Sequence, residues 1–361
     1  MSLASSSSPP EALTRADVPR VVVDVDGAVL NDPKDGVSLL RVDVRHELGR
    51  PSSVVIETAD LDAESLDWID GDLVQEGRPL TIEMGLGETT GRVFLGEITG
   101  LDLEIDPEDA PRVSIRGYDR LHRLARARKT RAFVGQRDSQ IAETVCADHG
   151  LRLAGPGSTL VHEYVMQREQ TDLAFLLARA RGLGFVVRVE DKELYFGPRD
   201  LAGSPAGAAK LGVNLLSLSA STSVLGQVGT VTARVWDPAE QRAVLVEAAE
   251  SALASKMGGT TSGPALADRG FSAEKTAVVD LPLLTGDAAK LAAAAELEAI
   301  ALGHVVCRGR MLGAPALRPG KLLTVGGFTG RFAGDYFLTH VTHTFSRDGF
   351  VTEFEGRRTA T

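Results

Sequence analysis

RPGKLLTVGGFTGRF, residues 318–332, has a looser counterpart earlier in the chain: EGRPLTIEMGLGETTGRVF, residues 76–94. Gly77, Arg78, Leu80, Thr81 and Ile82 stand against Gly320, Lys321, Leu323, Thr324 and Val325. Both stretches cross a glycine-rich gap and resume at Gly-Arg shortly before an apolar residue. The downstream segments are alike too. Gly96 leads into EITGLDLEIDPEDAPRVSIRG and Gly334 into DYFLTHVTHTFSRDGFVTEFEG, each a β-run, a polar turn and a second β-run ending in glycine. Gly320 lies 243 residues after Gly77, too far for a solenoid repeat. Two copies of one β-rich domain in a single chain account for the pattern.

A chain of 361 residues has room for two or more domains, each with its own core. A formal charge of −10 argues against nucleic acid as a specific partner, since phosphate binding needs a basic surface. No apolar run reaches the length of a membrane span, and the N-terminus lacks a basic-then-apolar secretory pattern, so no membrane insertion is expected. Cys146 and Cys307 are isolated in sequence and read as buried reduced thiols.

The expected architecture is mainly β with an α/β insert. Residues 1–19 are Ser/Pro-rich and read as a disordered tail. Residues 20–118 alternate strand runs with turn signals and read as a first β-barrel, completed by strands from 213–226. Residues 119–200 read as the α/β insert. In it YDRLHRLARARKTR looks helical, Thr171 caps a helix that Gly182 stops, and a hairpin turns about Glu190-Asp191-Lys192. Residues 201–212 form a Gly/Ala/Ser linker. Residues 227–361 read as a second barrel, with a mobile insertion about 256–286 and a helix about 287–303.

No residue earns a place in a catalytic, cofactor-binding or metal site. VVVDVDGAVLND, residues 21–32, is the sharpest lookalike: a strand ending in Asp24-x-Asp26-Gly27 resembles the first motif of haloacid-dehalogenase-type magnesium phosphatases. Strand succeeds strand here, however, so a β-hairpin turning at Gly27 is the preferred reading. The acidic run Asp60, Asp62, Glu64, Asp67, Asp70, Asp72 lacks the central glycine and closing glutamate of a calcium loop. His340 and His343, three apart in a strand, fall on opposite faces and cannot share a metal. The basic residues Arg120, Arg123, Arg126, Arg128, Lys129 and Arg131 form a solvated helical face or, less simply, a docking patch for an acidic partner.

Two stretches carry a family resemblance. Leu317–Arg358 has a Pro-Gly turn, a Gly-Asp-Tyr-Phe-Leu-Thr-x-Val-Thr-His run and Gly-Phe-x-Thr-x-Phe before an Arg pair. It is similar to the end of the phage late control gene D proteins, the baseplate hubs of contractile tails. Gln170-Thr171-Asp172-Leu173-x-Phe175-Leu176, a Gly-x-Gly-Phe and Leu194-Tyr195-Phe196 resemble the same family and the N-terminal part of the type VI secretion spike protein VgrG. The resemblance implies two tube-protein-like β-barrels related by internal duplication, in a structural protein rather than an enzyme. It implies a homotrimer that adapts a hexameric inner tube to a trimeric spike, beside baseplate wedge proteins and without a cofactor. The particle would be a phage tail or a phage-derived contractile injection system, assembled in the cytoplasm. Because the sequence stops after the second barrel, the spike, with its oligonucleotide-binding-fold and needle, is expected as a separate polypeptide.

Overall fold

The computed structural model describes residues 18–32, 37–59, 67–70, 72–87, 89–106, 111–237, 241–271, 279–280 and 286–361. Residues 1–17 of the tail expected over 1–19 and the carboxylates Asp60, Asp62 and Glu64 lie outside the described residues, and Pro19 already belongs to a strand. The chain opens with β1 (Pro19–Val25), β2 (Ala28–Val29), β3 (Ser38–Glu47), β4 (Ser53–Ala59), a short helix α1 (Asp67–Asp70), β5 (Pro79–Leu86), β6 (Thr89–Glu104) and β7 (Arg112–Tyr118). Next come β8 (Arg128–Arg137), α2 (Asp138–Asp148), β9 (Arg152–Ala154), β10 (Val161–Thr171), α3 (Asp172–Leu183), β11 (Phe185–Glu190) and β12 (Glu193–Pro198). The remainder is β13 (Ala208–Lys210), β14 (Leu215–Thr222), β15 (Thr230–Asp237), β16 (Arg242–Ala249), α4 (Gly263–Phe271), β17 (Val279–Asp280), α5 (Gly286–Ala301), β18 (Val305–Leu312), β19 (Leu322–Gly326), β20 (Gly334–Ser346) and β21 (Gly349–Arg358).

Period-two burial makes the strands. In β3, Val42, Val44 and His46 are buried while Arg41, Arg45 and Glu47 are not, which gives the strand one core face and one polar face. Thirteen strands join into one sheet. Its first half runs β3-β4-β7-β6-β5-β1 and its second β14-β18-β21-β20, with β19 beside β20 and β13 beside β19. The halves meet where β20 pairs antiparallel with β3.

Parts of the two halves share a hydrogen-bond register, although β1 lies antiparallel to β5 where β13 lies parallel to β19. Gly77 N–H donates to Ile98 O at 2.7 Å and Ile98 N–H to Arg78 O at 3.0 Å; Gly320 N–H donates to Leu338 O at 2.8 Å and Leu338 N–H to Lys321 O at 2.9 Å. Both glycines have positive φ, +90° and +83°, in the turn that enters β5 or β19, which is why glycine stands there. Ile98 then faces Gly117 as Leu338 faces Gly356. A bulge comes after each pair, between Ile98 and Gly100 and between Leu338 and His340. In each bulge a threonine, Thr99 or Thr339, donates its hydroxyl to the facing strand's carbonyl at 3.4 Å. β3–β4 and β14–β18 match as well, each with a bulge at the same place, between Leu39 and Arg41 and between Leu215 and Ser217.

The structure differs from the sequence reading in several places, and within the expected linker 201–212 the stretch Ala208–Lys210 is a strand on β19. Residues 213–226 do not complete the first half: β14 pairs with β18 and is an edge of the second. That second half is not continuous over 227–361, because β15, β16 and β17 form a separate small sheet covered by α5. Within 256–286, Gly263–Phe271 is helical, and residues 272–278 and 281–285 of the expected mobile insertion lie outside the described residues. The basic stretch after Tyr118 is a 3-10 turn at Arg120–Ala125 and then a strand, and α3 runs through Gly182 to a left-handed cap at Gly184, φ +68°.

Residues between the halves close their own core around Leu121, Leu176, Val187 and Phe196. Thr171 caps α3, accepting from Ala174 N–H at 3.2 Å. Helix α3 leans on α5, with Arg181–Glu296 and Arg199–Glu298 ion pairs nearby.

Candidate functional site

Buried polar side chains gather at the seam between the halves. The first part of β20 pairs with β19, and its continuation, His340–Phe345, lies against Glu47–Val42 of β3. Three successive residues on one face of β20 cross the seam. Val341 belongs to the core of the second half, His343 is fully buried opposite Val44, and Phe345 packs into the core of the first half. On the other face Thr344 Oγ1 donates to Asp43 Oδ1 at 2.6 Å.

His46 and His343 meet edge to face, with ring centroids 5.7 Å apart. Arg318, carried by the turn before β19, reaches into the seam. Its guanidinium donates to Pro315 O at 2.9 Å and Leu317 O at 2.7 Å, and the same nitrogen lies 3.2 Å from His343 Nε2. That Nε2 also lies 3.2 Å from Leu317 O, and Nδ1 lies 3.0 Å from Thr352 Oγ1, so the ring is held at both nitrogens. Burial, and then the charge of Arg318, holds the His343 imidazole down to about 3 and His46 well below its ordinary value. Burial also brings Arg318 down to about 10. Two neutral imidazoles and one cation locked on carbonyls make a structural clasp; none is free to take up a substrate proton near neutrality.

Four residues of the basic cluster pair with carboxylates inside the molecule. Arg120 and Arg123 both bind Glu97, at 3.3 Å and 3.0 Å, and Arg120 also binds Asp191. Lys129 and Arg131 converge on Asp172, at 2.8 Å and 2.7 Å, where His149 adds a contact at 2.8 Å. Burial raises the Asp172 carboxyl, but these hydrogen bonds and charges outweigh it and hold the group below the usual carboxylate range. A solvated helical face does not describe these four residues, whereas Arg126 and Arg128 of the same stretch are exposed.

The phosphatase reading of Asp24 and Asp26 fails on local geometry. Val25 pairs with Ala28 across a two-residue turn, Asp26-Gly27, with φ of +54° and +90°, the backbone of a type I′ hairpin. Asp24 Oδ1 accepts from Gly27 N–H at 3.1 Å and Asp26 pairs with Arg78 at 2.6 Å. A nucleophile loop would lead from a parallel strand into a helix; here β2 turns straight back along β1. His340 is exposed and His343 buried, on the opposite faces that their spacing dictates. Among the described residues no three His, Cys, Asp or Glu side chains group as metal ligands. Cys146 and Cys307 are both buried, and burial pushes their thiols up to about 12. No helix among the described residues is long and apolar enough to cross a membrane.

The sequence reading misses His46 and Arg318. The three groups of the clasp come from residues 46, 318 and 343, and only the β3–β20 register brings them together.

Several solved structures share the fold. A 43 kDa tail protein of prophage MuSo2 from Shewanella oneidensis superposes with a TM-score of 0.67 at 14% identity, covering 94% of this chain and 98% of that one. A tail protein from Neisseria meningitidis MC58 gives 0.65 at 13% identity, covering 94% and 97%. The E. coli c3393 protein, a component of the type VI secretion system with structural similarity to the T4 bacteriophage tail proteins gp27 and gp5, gives 0.58 at 16% identity, covering 94% and 77%. No curated protein matches significantly in sequence. A family model described as the Alg8 N-terminal domain matches residues 15–347. The chain thus belongs to the Alg8 N-terminal domain family, on a fold that it shares with prophage tail proteins.

Proposed function

We propose that this protein is the structural baseplate hub of a contractile phage tail or of a phage-derived contractile injection system, of the late control gene D kind. Three copies form a ring of six similar β-barrels, two per chain, related by internal duplication. One end of the ring meets a hexameric inner tube, and the other receives a separate trimeric spike. The observation that carries this reading is the shared register, bulges included, of β3–β4 with β14–β18 and of β6–β7 with β20–β21. A ring with six similar seats and only three chains matches a sixfold partner on one side while keeping a threefold arrangement of everything else. The fold shared with tail proteins and with a type VI secretion component gives the same setting. The clasp at the seam fixes the relative position of the two seats, a purely mechanical task.

A peptide tag on the N-terminal tail tests the setting. In particles from the producing cell, labelled antibody is expected at one end of the tube, at the junction with the spike, and the tagged chain should co-purify with tube and spike subunits. Label spread along the tube, or purification without either partner, overturns the reading.

A further inference from the structure

The second half offers the first half an edge that the first half, in turn, offers to no strand among the described residues. Strand β20 has two partners on one side, β19 along its first part and β3 along His340–Phe345. Its counterpart β6 pairs with β5 only as far as Glu97. Ile98 still bonds the turn at Gly77 and Arg78, and beyond it Gly100–Glu104 pairs, among the described residues, with β7 alone. The counterpart of β3 is β14, which ends the sheet; over Ser217–Thr222 it pairs, among the described residues, only with β18. Each chain thus carries one used seam and, at its two extremes, the two unused halves of a second. Open edges of this kind are templates for pairing.

We infer that the ring closes through an intermolecular copy of the seam, in which Gly100–Ile105 of one chain pairs antiparallel with Leu218–Ser223 of the next. The inference rests on the reading of the protein as a three-chain ring. Transferring the β20–β3 register through the matched pairs and bulges puts Leu103 opposite Ala220 of the neighbouring chain, where the internal seam has His343 opposite Val44.

Three features of the side chains fit that register. First, Leu101, Leu103 and Ile105 form one apolar face that starts in the core and runs out of it: Leu101 packs on the first-half core, whereas Leu103 is 53% and Ile105 61% exposed. Their counterparts Val341, His343 and Phe345 cross the internal seam, with His343 at 0% exposure and Phe345 in the other half's core. Ile105 would enter the second-half core of the neighbour in the same way. Second, the receiving strand is ready for it. Leu218 and Ala220 already pack against the second-half core on their inner face, and Leu216 beside them is 52% exposed. Third, the cross-seam hydrogen bond is reproduced with its roles exchanged. Thr344 donates to Asp43 inside the chain; the same register brings the Ser219 hydroxyl opposite the Glu104 carboxylate. The pairing is heterologous, so repetition by three chains closes into alternating first and second halves.

The test is a double variant, Leu103→Cys with Ala220→Cys, assembled into particles and treated with a mild oxidant or a short bismaleimide. Facing residues of an antiparallel pair lie about 4.5–5.5 Å apart at Cβ, within reach of both. The buried Cys146 and Cys307 should stay silent, as the parent chain will show. Denaturing, non-reducing gels are expected to show chains linked up to a closed set of three. Each single variant, and Leu103→Cys combined with Ser217→Cys, which faces the other way, should give none. Ile105→Asp supplies a second arm. The residue is exposed in the separate chain, so melting should not change, while incorporation into particles should fall at least tenfold. Particles that hold three copies but give no Leu103–Ala220 link, or that take up Ile105→Asp normally, overturn the register and leave the ring standing. Particles with another copy number overturn the ring and the register together.

Discussion

Gly356→Val is expected to destabilise the protein by about 2–3 kcal/mol, and Gly117→Val by a similar amount. Neither glycine has a positive φ, so backbone freedom is not why they are glycines. Space is. A Cβ on Gly356 would lie 2.7 Å from Tyr336 Cβ and 3.2 Å from Cys307 Sγ. Tyr336 cannot give way: it is fully buried, donates its hydroxyl to Phe332 O at 2.8 Å, and lies against the Arg358 guanidinium, 5.2 Å from the ring centre. A Cβ on Gly117 would lie 2.9 Å from the Glu97 carbonyl oxygen and 3.0 Å from both Leu80 and Val54. Glycine in a strand interior otherwise weakens the strand, so both positions give up β-propensity for the close approach of their neighbours. The two costs should agree because the positions are equivalent, each facing the residue before a bulge. Urea unfolding of both variants measures them. A midpoint within experimental error of the parent for either one contradicts the matched packing of the halves.

Acid should loosen the seam. An unfolded histidine titrates at about 6.5. In the fold His343 is held down to about 3 and His46 shifts in the same direction, by burial first and then by the Arg318 charge. Below pH about 6.5 the unfolded chain therefore binds more protons than the folded one. The contribution of the neutral rings is complete above that pH and is lost as pH falls toward the folded value. At pH 5 the loss for His343 alone is about 2 kcal/mol. Asp119 works the other way: burial pushes its carboxyl up to about 7 despite hydrogen bonds from Ser52 and Leu121, so it favours the fold as pH falls from 7. The raw stability curve mixes these signs, so the readout is a difference. His343→Gln should be less stable than the parent at pH 7.5, and that deficit should shrink by about 2 kcal/mol at pH 5. A deficit that does not change with pH contradicts the buried neutral ring.

Much of this is legible in the chain because it is local. The repeat shows through Gly77 and Gly320, since a positive-φ turn entering a strand leaves few alternatives to glycine. The Asp26-Gly27 hairpin and the opposite faces of His340 and His343 also come from short-range geometry. Pairing is harder. LLSLSAS reads as a strand, but nothing in it says whether its partner is β18 or a strand of the first half; long-range register decides that. The basic stretch passes for a helix although Lys129, Arg131 and Phe133 alternate, and that period of two is the available signal. The clasp leaves no local signal at all: residues 46, 318 and 343 meet only because the two halves are already paired.

The central claim, a ring in which each chain supplies two seats, is tested most directly by imaging the assembled particle at a resolution that separates strands. Three copies should lie between tube and spike, with first and second halves alternating around the axis. Six copies, a single copy, or three copies whose second halves stand outside the ring would contradict it.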